Sequence, residues 1–95
     1  MDTIPLDRYI IETLMPDLVG HDHHPSAFLV YLALSAAPAG TAFSYGQLAE
    51  RTGLSKRSAQ NAVQRLRQRG LVETSAGGPT EPLRYRVLTP WRGRG

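Results

Sequence analysis

Tyr45-Gly46-Gln47-Leu48-Ala49-Glu50-Arg51-Thr52-Gly53-Leu54-Ser55-Lys56-Arg57-Ser58-Ala59-Gln60-Asn61-Ala62-Val63 is the stretch from which the rest of the chain is read. Ser44 stands just before it, with Gln47 three positions on. That spacing is a capping box, in which a hydroxyl and an amide satisfy the free N–H groups of a helix start. Leu48, Ala49 and Thr52 continue the inner face of this helix, and Gly53 breaks it. Ser55 caps a second helix, on which Ala59, Ala62, Val63 and Leu66 recur at i, i+3, i+4 and i+7. Gly70 ends it. The pattern predicts helices of about eight and about fourteen residues, split by a tight glycine turn.

Downstream, Leu71 to Ser75 and Leu83 to Leu88 are strand-like runs joined by Ala76-Gly77-Gly78-Pro79-Thr80-Glu81-Pro82, a β-hairpin with a long tip. Thr89 to Gly95 is a short basic tail with Arg92 and Arg94. Upstream, Pro25 suits a first helical position, with His24 as the residue before it. From Ser26 to Ala37 the chain is apolar almost all round, which predicts a buried central helix. Pro38-Ala39-Gly40 ends that helix, and Thr41-Ala42-Phe43 is a candidate for a very short strand. Thr3 to Met15 reads as a further helix carrying Leu6, Tyr9, Ile10 and Leu14, with Pro16 as its stop and 17–24 as a loop.

The chain has 95 residues, enough for one domain. The expected division is an N-terminal extension over 1–24, a core over 25–88 and the tail over 89–95. The longest apolar run, Ala27 to Leu34, has eight residues. A membrane span needs about 20, so none is expected, and no basic-then-apolar leader opens the sequence. The absence of Cys excludes disulfides and thiolate chemistry and fits a cytoplasmic location.

Net charge is +3, but it is split along the chain. Residues 1–43 carry five acids against Arg8 alone, whereas residues 44–95 carry ten basic residues against Glu50, Glu73 and Glu81. Ten of the eleven basic residues are Arg, whose guanidinium forks onto phosphate and guanine. A genome preference for arginine codons explains Arg over Lys, but not the segregation.

Two helices around a glycine turn form a helix-turn-helix, and here the likeness becomes specific. The segment from Tyr45 to Val63 resembles the helix-turn-helix of bacterial transcription regulators. Small Ala49 stands where the helices cross, Gly53 in the turn, Leu54 as a core plug, and Ala59 with Ala62 facing inward. Arg65-Leu66-Arg67-Gln68-Arg69-Gly70-Leu71-Val72 resembles the helix end and first wing strand of winged members. Such regulators usually carry Val or Ile at the place of Ala59, so Ala implies closer packing of the helices. The resemblance spans residues 25–88. It implies a mainly α fold with a small β-hairpin, a winged helix-turn-helix with an extra N-terminal helix, and duplex DNA as the partner.

Helical geometry then assigns faces to the second helix. At about 100° per residue, Arg57, Asn61, Gln64 and Gln68 lie opposite the buried side, with Ser58 and Gln60 at the flanks. Arg pairs with guanine, and Asn or Gln with adenine, at major-groove edges. The expected base readers are therefore Arg57, Ser58, Gln60, Asn61 and Gln64. Ser44, Tyr45, Lys56 and Arg65 are expected at phosphates, which set register without reading sequence. On the last strand Arg84 and Arg86 share one face and Leu83, Tyr85 and Val87 the other, so the two arginines join the expected phosphate contacts. The apolar face is expected beside the recognition helix. Tyr9, Ile10, Ile11, Leu14 and Met15 offer more apolar surface than one face hides, which predicts a homodimer through residues 3–19.

Other chemistries find less support. His21, His23 and His24 with Asp22 are ligand-type groups, but their spacing matches no closed site and no metal is expected. Asp17 and Asp22 are the nearest approach to paired carboxylates, and nothing in the sequence marks them as buried. Neither a phosphate-binding glycine loop nor a Ser/His/Asp arrangement stands out, so neither enzymatic activity nor a cofactor is expected. Two other functions compete. One is a winged helix used as a protein-interaction module, which needs no basic recognition face. The other is the DNA-binding part of a plasmid or phage replication initiator, which sequence does not separate from a regulator.

Overall fold

The computed structural model describes residues 2–93. Helix α1 runs Pro25–Ser35, α2 runs Tyr45–Thr52 and α3 runs Lys56–Gln68. Strands β1 (Ala42–Phe43), β2 (Val72–Ala76) and β3 (Leu83–Val87) form one antiparallel sheet in the order β1-β3-β2. The arrangement is a winged helix-turn-helix preceded by a further helical segment.

That segment differs from the expectation. The helical path occupies Ile10–Leu14 and Pro16–His21 instead of 3–15, and Pro16 does not stop it. Both pieces are π-helical: the Met15 N–H bonds the Ile10 carbonyl, and the Asp22 N–H bonds the Asp17 carbonyl. Met15 stays helical (φ −60°, ψ −55°) although the residue before a proline disfavours it. Tertiary packing overrides the local preference. Ile10, Leu14 and Leu18 recur every fourth residue and are buried, whereas Leu6 and Tyr9 are exposed. Pro16 heads its own segment, where its missing N–H has no bond to lose. The path ends at His23, whose φ of +54° turns the chain, and the His24 N–H closes on the Leu18 carbonyl at 2.8 Å. The stretch 17–24 is therefore mostly helix, and Gly20 lies inside it.

Helix α1 starts at Pro25 with His24 at its N-cap, as expected. Ala27, Phe28, Val30, Tyr31 and Leu34 are buried, but Leu29 is 44% exposed, so this helix is not covered on every side. Tyr31 is the largest fully buried side chain; its hydroxyl donates to the Leu88 carbonyl at 2.9 Å. Burial pushes its phenol up to about 12.

The hairpin lies one residue from its expected bounds. Val72 pairs with Val87, Glu73 with Arg86 and Thr74 with Tyr85. Strand β1 adds to its far edge, with Ala42 opposite Arg84. A single core joins Leu48, Ala59, Ala62, Val63 and Leu66 to Phe43, Leu71, Val72 and Tyr85. Each large apolar side chain buried there contributes about 1.5–3 kcal/mol. The expectation that the apolar face of the last strand lies beside the recognition helix needs correction: β3 packs on α1, and β2 is the strand against α3. The cause is the sheet order, which places β3 in the centre.

Candidate nucleic-acid interface

The turn that sets α3 is built from local bonds. The Ser44 hydroxyl accepts from the Gln47 N–H at 3.0 Å, and the Gln47 side chain accepts from the Ser44 N–H at 2.9 Å. Gly53 takes φ +78°, and its N–H bonds the Ala49 carbonyl at 2.9 Å. The left-handed conformation is one that a glycine adopts without a Cβ penalty. The Thr52 hydroxyl donates to the Leu48 carbonyl and accepts from the Leu54 N–H, which ties the turn to α2. Ser55 caps α3 through the Ser58 N–H at 3.0 Å. Ala59, Ala62, Val63 and Leu66 are fully buried, so the opposite side of α3 is fixed outward.

On that outward side Arg57, Gln60, Asn61, Gln64 and Gln68 are exposed, and Ser58 is half-buried at the flank. No acid lies on α3. Lys56 and Arg57 occupy its first turn, where the positive end of the helix dipole makes a cation unfavourable by about 0.3–1 kcal/mol. A polyanion at this end offsets that cost.

The sequence profile of the helix-turn-helix domain matches residues 24–72. The chain belongs to the helix-turn-helix domain family. Neither a curated protein nor a solved structure matches it. Membership points to DNA binding, and α3 is the second helix of the helix-turn-helix.

Around this helix the expected phosphate contacts fall into different settings. Ser44, Tyr45 and Lys56 line one hollow together with the wing tip from Pro79 to Leu83. Glu81 also lines it, with its N–H on the Gly78 carbonyl. Arg84 and Arg86 share the outer face of the sheet, and Tyr85 faces the core, as the alternation predicts. They line a separate hollow with Gly40 and Glu73–Ser75. Arg86 is ion-paired to Glu73 across the strands, and Arg84 donates to the Gly40 carbonyl at 3.2 Å. Arg65 is turned to the N-terminal segment, its Nε 3.3 Å from Asp22.

That segment holds what sequence reasoning missed. The Asp22 side chain is only 5% exposed and Asp17 is partly covered, so these carboxylates are not the free surface acids the sequence implies. Arg69 donates to Asp22 at 2.5 Å and also to Asp17. Burial pushes Asp22 up, but hydrogen bonds from His21 and Arg69 and the charges of Arg69 and Arg65 outweigh it and hold the carboxyl below its ordinary range. Asp17, His21 and Asp22 converge because the segment is helical and not a loop, whereas His23 and His24 are not in this group. The Arg65 and Arg69 guanidiniums meet these carboxylates and already satisfy them.

The tail is likewise engaged. Asp7 accepts from Trp91 Nε1 at 2.7 Å and from two nitrogens of Arg92 at 2.6 and 2.7 Å. Tyr9 stacks on Trp91 with ring centroids 4.6 Å apart. Arg94, the other basic residue expected in the tail, lies outside the described residues. The charge split is therefore partly internal. Among the described residues of the basic half, Arg65, Arg69, Arg86 and Arg92 have acidic partners, while Arg51, Lys56, Arg57, Arg67 and Arg84 have none. Arg51 lies over the Phe43 ring at 4.9 Å. Among the described residues no helix is long and apolar enough to cross a membrane.

Proposed function

We propose that the chain binds duplex DNA sequence-specifically, in the cytoplasm, and regulates transcription by occupying promoters. The observation that carries this reading is the outward face of α3, which is exposed and free of acid and combines one Arg with several side-chain amides. Arg57, Ser58, Gln60, Asn61 and Gln64 read base edges in the major groove, where fork donors and amides match guanine and adenine. Lys56, with Ser44 and Tyr45 in the same hollow, meets a flanking phosphate. Arg84 on the sheet extends the contact, and Arg86 and Arg65 act there only to the extent that their acidic partners release them.

A second copy doubles the site that is read. One recognition helix covers few base pairs, and two related by a two-fold axis read a palindrome. Residues 3–19 supply the joint: Ile10 and Leu14 are turned inward, but Ile11, Met15 and Val19 remain exposed.

The test is a duplex titration across salt, followed by selection of bound sequences from a random pool. Binding at about 50 mM salt should weaken with a log–log slope of about −0.9 per phosphate contact, and the selected sequences should form a two-fold motif. Absence of binding, or a flat slope, would reject the DNA reading in favour of a protein-interaction module.

A further inference from the structure

The end of α3 carries three arginines spaced by two. Residues four apart on a helix share a flank, and the residue midway between them falls on the opposite side. Arg65 and Arg69 accordingly point the same way, to Asp17 and Asp22. Arg67 points the other way. It is exposed, has no acidic partner, and lines a shallow hollow with Gln64 and Gln68 of the outward face. Lys56, one more cation on this flank, faces the wing tip. The two flanks of the recognition helix therefore differ in charge: cations without acidic partners on one, an ion-paired cluster close to neutral on the other.

We propose that Asp17 and Asp22 keep Arg65 and Arg69 off the DNA, and that Arg67 supplies the phosphate contact at the C-terminal end of α3. This inference rests on the DNA-binding reading above. The acids act by holding the two cations: Arg69 donates to both carboxylates at once, and Arg65 is ion-paired to Asp22. Two carboxylates against two guanidiniums leave this cluster close to neutral, so it offers a phosphate no net attraction. DNA is thereby confined to the side of α3 shared with the wing. Five basic residues lie within the fifteen from Ser55 to Arg69, so the device also restrains sequence-independent attraction. Asp17 and Asp22 become determinants of specificity without touching a base, and Arg67 contributes affinity alone.

The experiment compares salt series of the full chain on one selected duplex and on a scrambled one. Arg67→Gln should make the slope shallower by about 0.9 and weaken both duplexes alike. Arg69→Gln should leave the slope unchanged. Asp17→Asn with Asp22→Asn should steepen the slope by up to about 1.8 and raise affinity for the scrambled duplex more than for the selected one. Asp17→Asn alone, at the more exposed acid, is the variant that keeps the fold, and it should shift both readouts in the same direction by less. Melting curves identify any variant that fails to fold, and the comparison then rests on the remaining ones. A slope lost equally in Arg67→Gln and Arg69→Gln overturns the inference, as does an Asp17→Asn chain that binds scrambled DNA no better than the parent. A parent without salt-dependent binding rejects the DNA reading itself, which separates the two failures.

Discussion

Arg57, Asn61 and Gln64 are exposed on the side of α3 opposite its fully buried residues. Replacing any of them by Ala removes a side chain capable of bidentate pairing from the outward face without touching the core. Each change should cost about 1–3 kcal/mol on the selected site and relax preference at one base pair, measured by competition against single-base variants. Lys56→Ala should instead weaken all duplexes alike. Asp7 is a residue whose ionisation matters for stability. Hydrogen bonds from Arg92 and Trp91 hold its carboxyl down from 3.8 to about 2. A carboxyl lowered on folding stabilises the fold fully above its ordinary value and loses that contribution as pH falls towards the lowered one. Melting temperature followed between pH 5 and 2 should therefore fall less steeply in Asp7→Asn than in the parent. Parallel curves would show that the clasp of tail on N-terminus contributes nothing.

Whole elements explain where local signals succeed. Helices α2 and α3 are each announced by a capping serine and ended at a glycine, and the structure uses these residues as the sequence implies. The N-terminal segment carries no comparable cap and contains a proline, so its bounds follow from burial. Leu18 sits in a stretch that reads as a loop, yet it is fully buried. Leu18→Ala should cost about 2–5 kcal/mol in denaturant unfolding. A change below about 0.5 kcal/mol, as at an ordinary surface position, would mean that the segment does not pack as described. The wing gives a second test at this scale. Arg84 is free of acid and Arg86 is shared with Glu73. Arg84→Gln should make the salt slope shallower by about 0.9, and Arg86→Gln by less. An unchanged slope in both would place the sheet face away from the duplex.

At the scale of the molecule, acidic and basic halves pack against one another. Asp7, Asp17 and Asp22 meet Arg92, Arg69 and Arg65, so much of the sequence's segregated charge is cancelled within the fold. The apolar residues left outside are the other feature of this scale. Ile4, Leu6, Ile11, Met15, Val19 and Leu29 are all more than a third exposed. Ile11→Glu with Met15→Glu places charge on this surface without entering the core. The parent should scatter light as a dimer at micromolar concentration and the variant as a monomer, with DNA affinity falling because two half-sites are no longer held together. A monomeric parent removes the dimer from the proposal.

Much of the helix-turn-helix was legible because its signals are local. Ser44 with Gln47, Gly53, Ser55 and the inward row from Ala59 to Leu66 each act within one turn of chain, where spacing alone sets geometry. The alternation of Arg84 and Arg86 with Leu83, Tyr85 and Val87 was legible for the same reason. The tertiary structure alone decided the rest, since it depends on partners distant in sequence. The helix through Pro16 exists because Ile10, Leu14 and Leu18 find α1 and the core. Which arginines remain free for a polyanion was hidden for the same reason. Arg65, Arg67 and Arg69 are alike in sequence, and only folding brings two acids from residues 17 and 22 against two of them, leaving the third without an acidic partner.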